Sequence, residues 1–307
     1  MIDTISLGTE EFAIQSYNRL VKRVDTNQET GETLEKYFIN LDTLNLTIDG
    51  RGLRLHFSLP KLYGLKDNFY PLGVNSFEVA VENLQRALED IGVIADLDKM
   101  KVLRLDLFKN VITEKSFNSY AEVLRTLELK RTHRREYADG FLTANTLREL
   151  CFYNKVRELS ESLGFAYVRQ VYGFSSENVM RGEIRFLQHR EVKKNNITFL
   201  KEIPENWLSL KEVYRNYMKE VFKYELKGGV DLNSETLKAL IDFAMNVLRQ
   251  EGREALKVFG LYPFAFVNRG ELLDTLKEHY SRRQAFQILS EIERNKKKYG
   301  ELYKTLD

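Results

Sequence analysis

The chain has 307 residues, of which 43% are hydrophobic and 30% charged, and its formal net charge is +2. This length allows one large core or two ordinary ones, and the near-neutral charge excludes a global basic field, so that a nucleic-acid site would have to be a local patch. We expect neither a membrane span nor a signal peptide, because no apolar run is long enough and the N-terminus lacks a basic region. The single cysteine, Cys151, excludes an internal disulfide framework and a cysteine-rich zinc site and is typical of a reducing compartment.

The first sixty residues predict a sheet with one helix. Residues 2–8 predict a short strand, residues 10–22 a helix and residues 23–35 a polar loop. Alternation of apolar and polar residues then predicts antiparallel strands around Tyr37–Leu41, Leu44–Ile48 and Leu53–Leu59. The intervening Asp-Gly-Arg-Gly segment predicts a turn, so these strands form a meander.

A helix and an informative strand follow the meander. Residues 75–93 have apolar residues at helical spacing and end at Gly92. In residues 102–108, three leucines alternate with Arg104, Asp106 and Phe108. In a strand that helices cover on one face, the leucines face the core and Asp106 faces the open side.

The segment Leu150–Leu159 begins as an apolar, aromatic run and takes a helical period from Lys155 onward. Tyr153 is therefore predicted at a strand-to-helix junction, where its hydroxyl can extend beyond the sheet. Lys155 and Glu158 add a cation and an anion close by. These groups suit the attack of a phenolic oxygen on phosphorus, although a tyrosine packed under a helix is the alternative.

Residues 178–193 predict a third strand with a polar group in its middle, Glu183 between Arg181 and Arg185. If the three strands are neighbours, Asp106, Glu183 and the tyrosine converge on one patch. Two carboxylates there suit Mg²⁺ or Mn²⁺, which prefer hard oxygen ligands. For each acid the alternative is a solvated strand residue or an arginine partner.

Helical periods dominate the remainder. A helix is predicted at residues 117–129, and beyond Pro204 helices are predicted at residues 207–224, 234–259, 269–279 and 282–307. The change in pattern near residue 205 predicts an α+β domain at residues 1–204 and an all-helical domain at residues 205–307.

Several segments resemble the replication initiators of filamentous phages and of rolling-circle plasmids, which are distant relatives of the histidine–hydrophobe–histidine nickases. The segments, in the family's order, are Met1–Asp3, Ser58–Gly64, Asn68–Pro71, Leu103–Asp106, Phe152–Glu158 and Arg181–Arg185. They cover about the first two-thirds of the chain. The resemblance implies an antiparallel sheet of the nickase type with helices on one face, followed by the helical domain.

The resemblance also implies roles for particular residues. Tyr153 falls on the family's nucleophile and Lys155 on its motif lysine, while the motif acids, ligands of Mg²⁺ or Mn²⁺, fall on Asp106, Glu158 and Glu183. The chain departs from the wider superfamily because it has no His-x-His motif, and its four histidines are isolated. His56 is the histidine that we would test as a third metal ligand.

The implied activity is site- and strand-specific nicking and rejoining of DNA through a 5′-phosphotyrosine intermediate, which starts rolling-circle replication. The implied partners are single-stranded or cruciform origin DNA, a host helicase and a host polymerase. The implied location is the host cytoplasm, without a membrane partner. A homodimer is left open. A conjugative relaxase, a single-strand transposase and a non-catalytic origin-binding protein are the alternatives.

Basic and aromatic residues are candidates for DNA contacts, with solvated surface or core packing as the alternative. The basic candidates are Lys130, Arg131, His133, Arg134, Arg135, Arg104, Arg181, Arg185, Arg282, Arg283 and Lys296–Lys298. The candidates for base stacking are Tyr63, Phe69 and Tyr70.

Overall fold

The computed structural model describes residues 1–26, 31–112, 116–118, 120, 132–172, 179–221, 273–274, 276–277 and 281–290. The protein is an α+β protein with a large antiparallel sheet and several helices. The strands are β1 (Ile2–Thr9), β2 (Phe12–Ile14), β3 (Val21–Thr26), β4 (Thr33–Asn40), β5 (Leu44–Asp49), β6 (Gly52–Ser58), β7 (Val93–Ala95), β8 (Lys101–Ile112), β9 (His133–Tyr137), β10 (Gly140–Ala144), β11 (Arg148–Asn154) and β12 (Val179–Phe186).

Ten of these strands form one sheet in the order β3-β4-β5-β6-β1-β8-β12-β11-β10-β9, and β2 pairs with β7 separately. The order confirms the predicted meander, β4-β5-β6. It also places β8, β12 and β11 next to one another. These are the strands that contain Asp106, Glu183 and Tyr153, and their being neighbours is the condition for the predicted patch.

The helices are α1 (Leu59–Tyr63), α2 (Val74–Ile91), α3 (Lys155–Leu163), α4 (Phe165–Tyr172), α5 (His189–Lys193), α6 (Glu202–Glu205) and α7 (Trp207–Val221), with a 3₁₀ turn at Leu97–Lys99. Residues 282–290 are also helical. No helix in the described part of the chain combines the length and the apolar composition that crossing a membrane requires.

The helix predicted at residues 75–93 is confirmed as α2. Its buried residues recur every three or four positions, at Phe77, Ala80, Leu84, Leu88 and Ile91, which is the period of one helix face. Gly92 ends the helix in the left-handed conformation, with φ of 84°, and its N–H donates to the carbonyls of Glu89 and Leu88. The ring of Phe77 lies 5.9 Å from that of Trp207, so α7 joins this core.

Clustering of the chain's contacts divides it into two compact units. The first comprises residues 1–109, 144–150 and 183–214, and the second comprises residues 110–143, 151–182 and 215–307. Each unit includes part of β8, β11 and β12. The boundary predicted near residue 205 and the all-helical domain beyond it stay predictions.

Two predictions near the N-terminus are wrong. Residues 10–22 do not form a helix, because β2 occupies Phe12–Ile14 and pairs with β7, and the backbone N–H of Gln15 donates to the carbonyl of Gly92. The predicted polar loop at 23–35 belongs largely to the hairpin of β3 and β4. All six residues of β3 are exposed, so this edge strand has no apolar face for a sequence pattern to reveal.

Other predictions fall partly or wholly outside the described residues. These are most of the helix at 117–129, the helix at 234–259, parts of those at 269–279 and 282–307, and Lys130, Arg131, His279 and Lys296–Lys298. The predicted helix at 207–224 is described as α7 as far as Val221.

Candidate functional site

In the first unit, one face of the sheet carries a row of polar side chains across three neighbouring strands. Ser6 of β1 is in register with His56 of β6 on one side and with Arg104 of β8 on the other. Residues in register on adjacent strands point to the same face, so these three side chains are neighbours. The Ser6 hydroxyl lies 2.8 Å from Nδ1 of His56.

Two residues farther along β8 on the same face, Asp106 is only 2% exposed. Both of its carboxylate oxygens accept hydrogen bonds from Arg104, from Nε at 2.8 Å and from Nη2 at 2.7 Å. This two-pronged geometry is the strong form of an arginine–carboxylate pair. The prediction that Asp106 faces an open side is therefore wrong: the acid is buried, and the alternative of an arginine partner is the one that the structure contains.

Glu183 of β12 has the same arrangement. It is 2% exposed, and its Oε1 accepts a hydrogen bond of 2.8 Å from Nε of Arg185, two residues along the strand. The Nη1 of Arg185 donates to Oε2 of Glu149 in β11 at 3.1 Å. Sequence reasoning missed Glu149, because its segment was predicted as a strand only from Leu150 onward.

Together these five side chains form what we call the acid–arginine network: Arg104, Asp106, Glu149, Glu183 and Arg185. Burial raises the pKa of Asp106 to about 7, and the negative charge of Glu183 adds to the rise, while Arg104 and Arg185 oppose it. Desolvation thus outweighs even a two-pronged ion pair. The network has three carboxylates and two guanidinium groups, so full ionisation leaves it with one excess negative charge.

The donor chemistry of Asp106 and Glu183 suits Mg²⁺ or Mn²⁺, since both are buried carboxylates whose mutual repulsion a divalent cation would relieve. In the arrangement described, guanidinium groups supply that positive charge. Among the described residues, no group of three or more His, Cys, Asp or Glu side chains could hold a metal ion. An ion at Asp106 would therefore compete with Arg104.

His56 does not join these acids through any contact that the described residues show. Desolvation lowers the pKa of His56, and the nearby Arg104 lowers it further, so the imidazole is neutral at physiological pH. A neutral imidazole is able to bind a metal, but its Nδ1 is engaged with Ser6. Its role as a ligand stays a prediction.

The predicted strand-to-helix junction lies in the second unit and is confirmed, because β11 ends at Asn154 and α3 begins at Lys155. The Asn154 side chain caps the helix by accepting a hydrogen bond of 3.1 Å from the Arg157 N–H. The Asn154 N–H donates to the carbonyl of Asp139 at 2.8 Å, and Asp139 also pairs with the Arg157 guanidinium at 2.6 Å. These contacts fix the backbone immediately after Tyr153.

Tyr153 itself is half-buried. The fully buried Lys155 has its Nζ 5.9 Å from the centre of that ring, and it is paired with the exposed carboxylate of Glu158. Glu158 could act as a metal ligand or as the group that positions Lys155, and this contact matches the second role. The structure thus brings together the predicted nucleophile, the predicted lysine and one predicted acid.

Gly140 of β10 is a further residue at this junction that sequence reasoning did not single out. A Cβ added there would lie 2.6 Å from the Phe152 carbonyl oxygen and 2.6 Å from Cβ of Tyr153. Only a glycine allows β10 to approach the tyrosine so closely. The Asp-Gly pair at 139–140, a turn signal, was the feature that could have drawn attention to it.

The candidate DNA-contacting cations have varied surroundings. Arg181 is fully buried, and its Nε donates to Asn110 at 2.7 Å. The basic cluster was predicted in a connection, but its described part forms strand β9, in which Arg135 is exposed and Arg134 lies 5.0 Å from the ring centre of Phe141. In the helix at 282–290, Arg282 and Arg283 are exposed. Their roles in DNA binding stay predictions.

Two segments that carry the family resemblance are joined in the first unit. The Asn68 side-chain amide donates to both oxygens of the buried Asp3, at 2.8 and 2.9 Å. Of the candidate stacking residues, Phe69 is buried, which is typical of core packing, while Tyr63 and Tyr70 are exposed.

The fold and site define an α+β protein with a large antiparallel sheet, a buried acid–arginine network in its first unit and a tyrosine–lysine junction in its second. No protein-family model and no curated protein matches this chain.

Proposed function

We propose that the protein is a rolling-circle replication initiator that nicks and rejoins one DNA strand through Tyr153. The observation that carries the proposal is the junction of β11 and α3. There Tyr153 is half-buried, the contacts of Asn154 fix the backbone that follows it, and the buried Lys155 lies beside its ring. The sequence pattern predicts this junction, and the resemblance implies that the family's nucleophile falls on Tyr153.

The proposed reaction is a transfer of one phosphodiester to the tyrosine. The phenolic oxygen of Tyr153 forms a bond to phosphorus, and the bond from phosphorus to the 3′ oxygen breaks, which leaves a 3′-OH on one strand end and a 5′ phosphotyrosine on the other. The phenolic proton is lost and the departing 3′ oxygen gains one. The ammonium of Lys155 stabilises the negative charge that develops on the phosphate.

Because phosphotyrosine conserves the energy of the broken diester, attack by a 3′-OH reverses the reaction and rejoins the strand without ATP. Mg²⁺ or Mn²⁺, when bound by Asp106 and Glu183, would polarise the phosphate oxygens. In the described arrangement Arg104 and Arg185 hold these two acids, and an ion bound by Asp106 would displace Arg104 from it. Glu158 holds the charge of Lys155 in place.

Further parts of the proposal come from the resemblance. They are a sheet of the histidine–hydrophobe–histidine nickase type, an all-helical domain at residues 205–307, origin DNA as substrate, a host helicase and polymerase as partners, and the host cytoplasm as location. A conjugative relaxase or a single-strand transposase would use the same chemistry on another DNA site.

A second candidate is a DNA-binding protein without nuclease activity. The observation that favours it is the neutralisation of Asp106 and Glu183 by arginines, which a purely structural network would also show. In that case the tyrosine hydroxyl would have no chemical role.

Replacing Tyr153 with Phe separates these candidates. Single-stranded oligonucleotides that tile the replicon encoding the chain would be incubated with the protein and Mn²⁺, and cleavage would be followed on a denaturing gel. We expect Y153F to bind the oligonucleotide that the unaltered protein cleaves, with the same affinity as the unaltered protein, and to cleave none of it. Y137F, which removes the hydroxyl of an exposed tyrosine in β9, is the matched control and should cleave normally. Undiminished cleavage by Y153F would refute the proposal.

A further inference from the structure

The first unit has a second polar feature, a cleft of about 600 Å³ beside the first residues of β8. Four of its lining residues are cations, Arg51, Arg54, Lys99 and Lys101. We call it the basic cleft. Its apolar wall consists of Leu53, Leu103 and Phe199, and two acids, Glu10 and Glu11, also line it.

A β-bulge builds the floor of the cleft. Ser6 pairs with Arg104, but the next residue, Leu7, pairs with Val102, so Leu103 is an extra residue on β8. This bulge turns Leu103 toward the cleft, where it is half-buried. The prediction that Leu103 faces the core with Leu105 and Leu107 is therefore wrong for this one leucine.

Gly8 of β1 lies between two of the cations. It is in register with Arg54 of β6 on one side and with Lys101 of β8 on the other. A Cβ on Gly8 would lie 2.7 Å from Cδ1 of Leu103, so a side chain there would clash. The glycine therefore lets the Leu103 side chain lie over β1 between two positive side chains, so that an apolar surface and two cations are next to one another.

Some of the four cations are already neutralised. Asp49 pairs with Arg54, and Lys99 pairs with Asp96 at 2.9 Å, with Glu11 nearby. Arg51 has only a 3.5 Å contact with the same Asp49, and its side chain is 77% exposed.

Lys101 is exposed, and it has no ion-pair partner among the residues that the structure describes. Arg51 and Lys101 are therefore the charges that are available to a ligand.

We propose that the basic cleft binds a nucleotide unit of single-stranded DNA, with Arg51 and Lys101 on its phosphate and the apolar wall of Leu103 and Phe199 against its sugar and base. Cations that follow the backbone beside an apolar or aromatic surface are the usual means of binding single strands. The choice of DNA rests on the function proposed above, and the inference adds where the strand lies outside the nicking site.

The position of the cleft agrees with such a path. Lys101 and Asp106 lie on one face of β8, because the bulge restores the alternation, and five residues of strand span about 17 Å. At the roughly 3.4 Å rise per nucleotide of a fully stacked strand, at most about five nucleotides separate the cleft from the acid–arginine network, and an extended strand needs fewer. An oligonucleotide of ten residues reaches both.

The test measures binding of a fluorescent ten-residue oligothymidylate by anisotropy, over a series of salt concentrations, to the full chain in the Y153F background, so that no strand is cut. We expect K101E and R51E each to raise the Kd about tenfold and to lower the salt slope by about 0.7, the value for one phosphate contact on a single strand. K211E, the same charge change on the exposed face of α7 and outside the cleft, should stay within twofold.

Three results would overturn the inference. In the first, K101E and R51E both bind the oligonucleotide as tightly as K211E does; in the second, K211E loses as much affinity as the two cleft variants lose. In the third, thymidine monophosphate displaces the oligonucleotide at equal nucleotide concentration. The last result would identify a site for free nucleotides. Because Arg51 is in an exposed turn, R51E tests the inference even if K101E fails to fold.

The result is separable from the proposed function. If the cleft variants lose binding while the unaltered protein forms no covalent adduct, the cleft is supported and the nickase is refuted. If the adduct forms and the cleft variants bind normally, the nickase is supported and the cleft is refuted.

Discussion

Replacing Asp106 with Asn should change how the stability of the protein depends on pH. In the folded protein the pKa of this acid is about 7, against an ordinary value of 3.8. A carboxyl group whose folded pKa is raised stabilises the fold fully below its unfolded pKa, and that contribution is lost as the pH rises through the folded pKa. The window of loss is therefore about pH 4 to 7, and the whole shift corresponds to about 4 kcal/mol at about 1.4 kcal/mol per pKa unit.

The assay is urea unfolding of the unaltered protein and of D106N at pH 5 and pH 8. The amide that D106N introduces does not titrate, so the difference between the two proteins isolates this one group. Between these two pH values the unaltered protein should lose about 3 kcal/mol more free energy of unfolding than D106N does. Equal losses would refute the conclusion that burial governs the charge of Asp106.

Asp49 provides a matched control, since its side chain is also buried against two arginines. Burial alone would raise the pKa of Asp49, but the Arg51 backbone N–H and the charges of Arg54 and Arg51 together lower it. The difference in free energy of unfolding between D49N and the unaltered protein should therefore change with pH only below about pH 4. Between pH 5 and pH 8 the two free energies should change in parallel.

Three further substitutions test the two parts of the site. N154A removes the cap of α3 and should lower the free energy of unfolding by about 1 kcal/mol in urea; no change would mean that the cap does not hold the junction. G140A should displace Tyr153 and abolish DNA cleavage, whereas G73A, which meets no atom within 4 Å, should cleave normally; normal cleavage by G140A would contradict the close approach of β10. R185M takes a partner from the buried Glu183 and should cost about 3 kcal/mol of unfolding free energy, while a loss below about 1 kcal/mol would show that the network is not coupled.

Features of the fold that depend on local sequence were predictable. The meander, α2 with its terminal Gly92 and the change from strand to helix at Lys155 each have a period and a stop signal within one segment. The pairing of β2 with β7, about eighty residues away, has no local signal, so the sequence alone predicts a helix in this segment. Strand β3 is exposed on both faces, so it lacks the alternation by which strands are recognised.

In the candidate site, the sequence indicated which residues matter more readily than it indicated what surrounds them. The alternation in β8 and β12 pointed to Asp106 and Glu183 and placed an arginine two residues from each, but it did not show that both acids are buried. Glu149 enters the network only through Arg185, thirty-six residues later in the chain. The bulge at Leu103 arises from the register of β8 against β1, which a single strand's sequence does not specify.

The central claim is that Tyr153 becomes covalently joined to DNA. The most direct measurement is to incubate the protein with Mn²⁺ and the oligonucleotide that it cleaves, digest both polymers and locate the residual nucleotide by mass spectrometry. The account predicts one modified peptide that contains Tyr153, with the mass added through a 5′ phosphate. Cleavage with the nucleotide on another residue, or with no protein adduct at all, would contradict it.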